Sequence, residues 1–244
     1  MGAPLRILAR SAVAGLLSLG ALAGCDPVKS LFENDRPLSI AQTVTVTVED
    51  GHQLRVGISE VTWQDWKRCH DAGGCRFLPR PARRNDARPF PVVGVNRLDV
   101  EEFVAWVNSR GDVQYRLPSS AEWTLLAAEL PKPEQKKLFD DPRLAWAADY
   151  TQTNPMPARV EPSGSFGSLS NGIQDLGGNV WEWTATCAVG NADDARCPAY
   201  FAMGLHRATI SIFIRDPATG GCAAGMPPAN VGFRLVSEIA DLKS

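Results

Sequence analysis

The sequence is poor in several things that would point to a particular chemistry. It has three histidines, His52, His70 and His206, and none is spaced as a helical metal pair. It has no strong charge of one sign: 25 Lys and Arg against 27 Asp and Glu leave a formal net charge of −2. Without a global positive field, neither nucleic acid nor an anionic surface is expected as a general partner. No internal repeat is present. No apolar run reaches the roughly 20 residues that a membrane-spanning helix needs. What remains is an ordinary globular composition. Across 244 residues the hydrophobic fraction is 44%, with 7 Trp, 21 Gly and 18 Pro. That mixture predicts a loop-rich fold pinned by aromatic side chains rather than a helical bundle.

The first residues carry an address. Arg6 and Arg10 precede a short apolar run, Ser11–Ala21, and Leu22-Ala23-Gly24-Cys25 follows. Small residues immediately before a cysteine read as a bacterial lipoprotein signal, with Cys25 lipidated as the first mature residue. The expected organisation is a signal peptide over 1–24, a tether over 25–41 and one domain over 42–240. The expected location is the cell envelope, anchored in the inner or outer membrane and facing the periplasm. Export to an oxidising compartment favours disulfides. Of six cysteines, Cys69 and Cys75 lie close together, as do Cys187 and Cys197, with turn residues between. Two local disulfides are the economical pairing and leave Cys222 over. A zinc site at Cys69, His70 and Cys75 lacks a second ligand cluster.

Local patterns predict the elements. Thr43–Val48 alternates as a strand, and Gln53–Ile58 is its hairpin partner across Asp50-Gly51. Thr62 caps a helix bearing Trp66 and Cys69 on one face. Asp99 caps another through about Asn108. Ser119 and Glu122 form a capping box for a helix through Ala128, and Arg116 is near enough to pair with Glu122. Arg76–Arg88 is rich in Pro and Arg; it could touch phosphate or lipid headgroups, but a solvated insertion is the favoured reading. Pro131–Pro142 reads as a charged insertion.

The stretch Asn171–Thr184, NGIQDLGGNVWEWT, organises the rest. Gly177-Gly178-Asn179 is turn chemistry. Trp181 and Trp183 alternate with Glu182 as in a strand, two rings on one face. A carboxylate so placed is exposed, paired or bound to a cation. Two readings stand: a rigid core turn whose Glu182 accepts from backbone N–H groups, and an oxygen-rich Ca²⁺ site on Asn179 and Glu182.

This run resembles the formylglycine-generating enzyme, or sulfatase-modifying factor, superfamily. Four further matches follow in family order. They are Gly57-Ile58-Ser59-Glu60-Val61-Thr62, Pro91–Asn96, Arg116–Trp123 and Val231–Leu235, so the resemblance spans about Gly57 to Val236. It implies a C-type-lectin-like α+β fold, loop-rich and low in regular secondary structure, often with calcium. The local reading of Glu60 is a strand-end carboxylate tied to nearby backbone.

The resemblance also implies a copper centre on two cysteines spaced C-x-x-x-x-C, since soft thiolates suit Cu(I). Registering Cys222-Ala223-Ala224 on the family's equivalent tripeptide places those positions at Ile212 and Pro217. Neither can bind copper, so copper is not expected. The superfamily's iron-dependent sulfoxide synthases need a histidine triad that this chain lacks. Periplasmic maturation proteins form a further branch and do without the cysteine pair. The expected function is therefore a lipid-anchored, non-catalytic member that binds a protein, peptide or glycan partner. The alternatives are a periplasmic oxidoreductase or maturation factor with a different active site, and an authentic formylglycine-generating enzyme using Cys222.

Overall fold

The alternating Thr and Val of the first strand meet its partner as their period requires. β1 (Thr43–Thr47) pairs antiparallel with β2 (Gln53–Gly57), Thr43 opposite Gly57 and Thr47 opposite Gln53. Gly51, in their connection, has φ +75°, a conformation that glycine adopts at little cost. The computed structural model describes residues 38–48, 51–131, 159–189, 197–204, 207–217 and 230–239. All of these lie within one compact unit. The expected signal peptide, Cys25, all but the first residue of the expected charged insertion Pro131–Pro142, His206 and Cys222 fall outside the described residues. Among the described residues no helix is long and apolar enough to cross a membrane.

Two four-stranded sheets carry the fold. The first has the order β1-β2-β8-β3, with β3 at Tyr115–Arg116 and β8 at Val236–Glu238. The second has the order β6-β5-β4-β7, with β4 at Trp181–Cys187, β5 at Ala199–Met203, β6 at Ala208–Ser211 and β7 at Val231–Gly232. The closing run, expected as one strand, is split between them. β7 pairs parallel with β4, while β8 pairs with β2 and β3. Phe233, Arg234 and Leu235 cross between the sheets and are buried. Gly232 sits where an added Cβ would lie 2.8 Å from the Val92 carbonyl oxygen, so the crossing requires glycine.

Three helices pack on this frame. α1 (Trp63–Asp71) starts at Thr62, whose hydroxyl accepts from the Asp65 N–H. α2 (Arg97–Asn108) is capped by Asn96 rather than by Asp99. Asp99 is the third residue of a reciprocal capping box and accepts from the Asn96 N–H at 2.9 Å. α3 (Ser120–Leu126) has the expected Ser119–Glu122 box and ends short of Ala128. The Arg116 guanidinium donates to both Glu122 oxygens, at 2.8 and 2.7 Å.

The main core gathers aromatic rings from distant segments. Trp66 stacks on Phe103 at 5.5 Å, and Phe233 meets both edge-on. Trp181 and Trp183 complete it. Burial of each such side chain contributes roughly 1.5–3 kcal/mol. β4 is buried on both faces over Trp181–Thr184 and so departs from the expected one-sided alternation. The folded domain also starts earlier than 42. Ser39–Ala41 forms a 3-10 turn, Ile40 is buried in the core, and the Ser39 N–H donates to Asp65 at 2.9 Å. Disulfides join Cys69 to Cys75 and Cys187 to Cys197.

Candidate functional site

Two places concentrate polar chemistry: a buried charge cluster under the tryptophan motif, and an open groove at the registered metal positions.

The cluster centres on Arg234, which is 0% exposed, and Glu182, at 1%. The Arg234 Nε donates to the two Glu182 oxygens at 2.8 and 2.9 Å, and Nη2 donates to Oε1 at 2.6 Å. The remaining donors reach backbone oxygens: Nη1 to Gly57 (3.0 Å) and Ile58 (3.2 Å), Nη2 to Gln174 (3.0 Å). Trp123 Nε1 donates to Glu182 Oε2 at 2.9 Å. A planar fork thus locks β2, β4 and the loop before β4 to the crossing strand. Asp175, with φ +59°, accepts from the backbone N–H groups of Gly164 and Phe166. Burial raises its pKa, against those two hydrogen bonds.

Glu60 lies beside them, and among the described residues the closest donor to its carboxyl is its own backbone N–H, a contact too poor in geometry to satisfy either oxygen. Burial pushes its carboxyl well above the usual range. Arg234 opposes this, and Glu182 and Asp175 reinforce it. Burial and the two neighbouring carboxyls thus favour its neutral form, against the pull of Arg234.

Asn179 and Glu182 are therefore each committed, but to different partners. Asn179 has φ +63° and reciprocates with Glu161, accepting from its N–H at 3.0 Å and donating to its carbonyl at 3.1 Å. Glu182 accepts from a guanidinium and an indole. These donors occupy the oxygens a Ca²⁺ would need, and the residues do not fit that ion. Among the described residues no cluster of three or more His, Cys, Asp or Glu could hold a metal. The neighbouring glycines serve close approach rather than positive φ: a Cβ on Gly178 would lie 2.4 Å from the Phe166 ring.

The groove is formed where β6 runs out. Ile212 is half-buried in the following turn, and Pro217 is buried in the groove wall. With Gly94, Arg215, Asp216 and Asn230, Pro217 encloses about 170 Å³. Arg215 is held rigidly: Nε and Nη2 donate to the Asp99 carboxylate at 2.7 and 2.9 Å, and the guanidinium lies 3.9 Å from the Phe77 ring centroid. The Asn230 amide nitrogen is buried without a protein partner. The groove thus offers a fixed cation and an unused N–H donor, which suit an acceptor such as a peptide carbonyl or carboxylate. Among the described residues nothing offers copper a thiolate. Every cysteine among the described residues is in a disulfide, and the two registered positions carry no sulfur.

Arg234, Asp175 and Asn230 were given no role by sequence reasoning. The first two stand inside quoted motifs, but nothing local marks their partners. Asn230 opens the closing run, and no local signal sets it apart.

Residues 32–239 match the sulfatase-modifying factor enzyme 1-like domain. No curated protein matches the chain. Among solved structures it is similar to PvdO from Pseudomonas aeruginosa, with 20% identity over 81% of this chain and 91% of that one, at a TM-score of 0.47. It is similar to CarF, with 19% identity over 80% and 93%, at 0.46. It is also similar to Treponema denticola variable protein 1, with 14% identity over 84% and 94%, at 0.49.

Proposed function

Because this chain belongs to the sulfatase-modifying factor enzyme 1-like family, we propose that it keeps the family frame as a lipid-anchored envelope protein that binds a protein, peptide or glycan partner and performs no copper-dependent oxidation. The observation that carries this reading is the side chain at the groove wall. Where the registration calls for a thiolate there is Pro217, which has no donor atom and whose ring fixes the local φ. Cu(I) needs two soft ligands close together, and Ile212 and Pro217 supply none. The groove's remaining groups favour binding. Arg215 is pre-positioned by Asp99, and Asn230 holds an N–H ready, so an extended ligand could be held without ordering either side chain. Anchoring rests on Leu22-Ala23-Gly24-Cys25.

Two measurements test this. Incubated with copper, oxygen and a Cys-x-Pro-x-Arg peptide, the protein is expected to leave the peptide mass unchanged. Conversion of thiol to aldehyde, abolished in Cys222→Ser, would overturn the reading. In cells, a photo-crosslinking residue at Val93, in the groove, is expected to give a discrete adduct, whereas one at exposed Leu125 is not. Equal labelling from both positions would count against the groove.

A further inference from the structure

The Pro- and Arg-rich stretch is largely exposed, as expected of a solvated insertion, but it is not loose. It folds back over the start of α1 and, together with the adjoining Phe90, is fastened there at three points. The Trp63 N–H donates to the Phe90 carbonyl at 2.8 Å, the Trp63 indole to the Pro79 carbonyl at 3.0 Å, and Gln64 Nε2 to the Arg88 carbonyl at 3.0 Å. Beneath it lies a cavity of about 270 Å³. That is close to the lower end of the roughly 300–1,000 Å³ usual for ligand sites, with room for one ring-sized unit.

The walls are chemically specific. Trp63, half-buried, supplies apolar surface, with the buried Phe90 behind it. Gln64 Oε1 is buried with no partner. Its orientation is set by chemistry: flipping the amide would turn its oxygen onto the Arg88 carbonyl, another acceptor. A bare buried acceptor calls for a donor from the ligand. The charges are positive. Asp86 is taken by Arg88, with Nη2 to Oδ2 at 2.7 Å. Arg83 lies 3.9 Å from Glu161, a loose pairing. Arg84 is exposed on the rim and has no partner among the described residues. On a chain of net charge −2 this is a local cationic mouth.

We propose that this pocket binds one acidic sugar unit, a pyranose-sized ring carrying a carboxylate or a phosphate. The C–H face of the ring lies against Trp63. A ring hydroxyl donates to Gln64 Oε1. Arg83 and Arg84 receive the oxyanion, for which the guanidinium fork is suited. Each feature answers a separate part of such a ligand, and none duplicates another. A neutral sugar would leave the arginines unused; a bare anion would leave the aromatic wall and the buried acceptor unused. This site is distinct from the groove beside Pro217, and it holds or fails whether or not that groove binds a partner.

The test is titration calorimetry on the full chain with D-glucuronate, glucose 6-phosphate, glucose and inorganic phosphate. Glucuronate, glucose 6-phosphate or both are expected to bind at least tenfold more tightly than glucose and than phosphate. Which of the two binds identifies the oxyanion. Arg84→Gln, a rim substitution that leaves the fold intact, is expected to weaken binding of the acidic sugar at least fivefold, and Gln64→Leu to weaken it independently. The proposal is overturned if neither acidic sugar binds, if glucose or phosphate binds as tightly, or if the isotherm is unchanged in both variants.

Discussion

Replacing Glu60 by Gln should change how stability depends on pH, in a direction fixed by the surroundings of that carboxyl. In the unfolded chain Glu60 ionises near the ordinary value of about 4.3. In the fold, burial holds it protonated to much higher pH, with Arg234 opposing and Glu182 and Asp175 reinforcing. Between those two values the folded protein keeps a proton that the unfolded chain has released. Raising the pH through that window therefore lowers stability, by about 1.4 kcal/mol per pH unit for one such group. Below the unfolded value both states are protonated and the effect vanishes; above the folded value it levels off. Gln has nearly the same shape and no proton to lose. The difference in unfolding free energy, variant minus wild type, should climb as pH rises above the unfolded value, by up to about 1.4 kcal/mol per unit. Any constant offset from placing an amide beside Arg234 drops out of the slope. Asp175 titrates in both proteins and largely cancels. Urea unfolding followed by circular dichroism at pH 5, 6 and 7 gives the slope directly. A difference that stays flat, or falls as pH rises, would show that Glu60 is ionised in the fold and that the cluster has been misread.

Arg234→Met strips Glu182 of its guanidinium and leaves three buried carboxyls without a cation, so a loss of about 3–5 kcal/mol is expected in urea unfolding. Adding Glu182→Leu should recover part of that loss, because the orphaned charge is then gone too. Cys25→Ser should move the protein from the membrane to the soluble fraction, since lipid chains are the proposed anchor; unaltered fractionation would refute the lipidation. Neither chelator nor millimolar Ca²⁺ should shift the melting temperature, because the Glu182 and Asn179 side chains already have partners; a clear rise with Ca²⁺ would place a cation site elsewhere in the chain.

Much of the local structure could be read from residue order alone, because the interactions responsible span only a few residues. The Thr62 cap and the Ser119–Glu122 box rest on hydrogen bonds between residues three apart, which the sequence spells out. The β1–β2 hairpin follows from alternation and a glycine turn. The disulfides close short loops, six and ten residues in separation. Family membership was equally accessible, since its motifs are contiguous. One local prediction missed: both Asn96 and Asp99 suit a helix start, and the backbone chose the first.

The rest depended on chain segments meeting. Glu182 and Arg234 are 52 residues apart, and nothing near either one names the other. Alternation told that β4 is a strand but not that both its faces are covered, because that depends on what packs above and below. The closing run has one apolar pattern, yet its halves join different sheets, since hydrogen-bonding partners and not the run itself assign a strand to a sheet. The Arg-rich stretch shows the same limit. Its composition suits solvent, and only the three attachments to the start of α1 turn it into the lid of a pocket. Hydrogen bonds between near neighbours are written in residue order; burial, charge pairing and enclosed space arise when distant segments exclude water together.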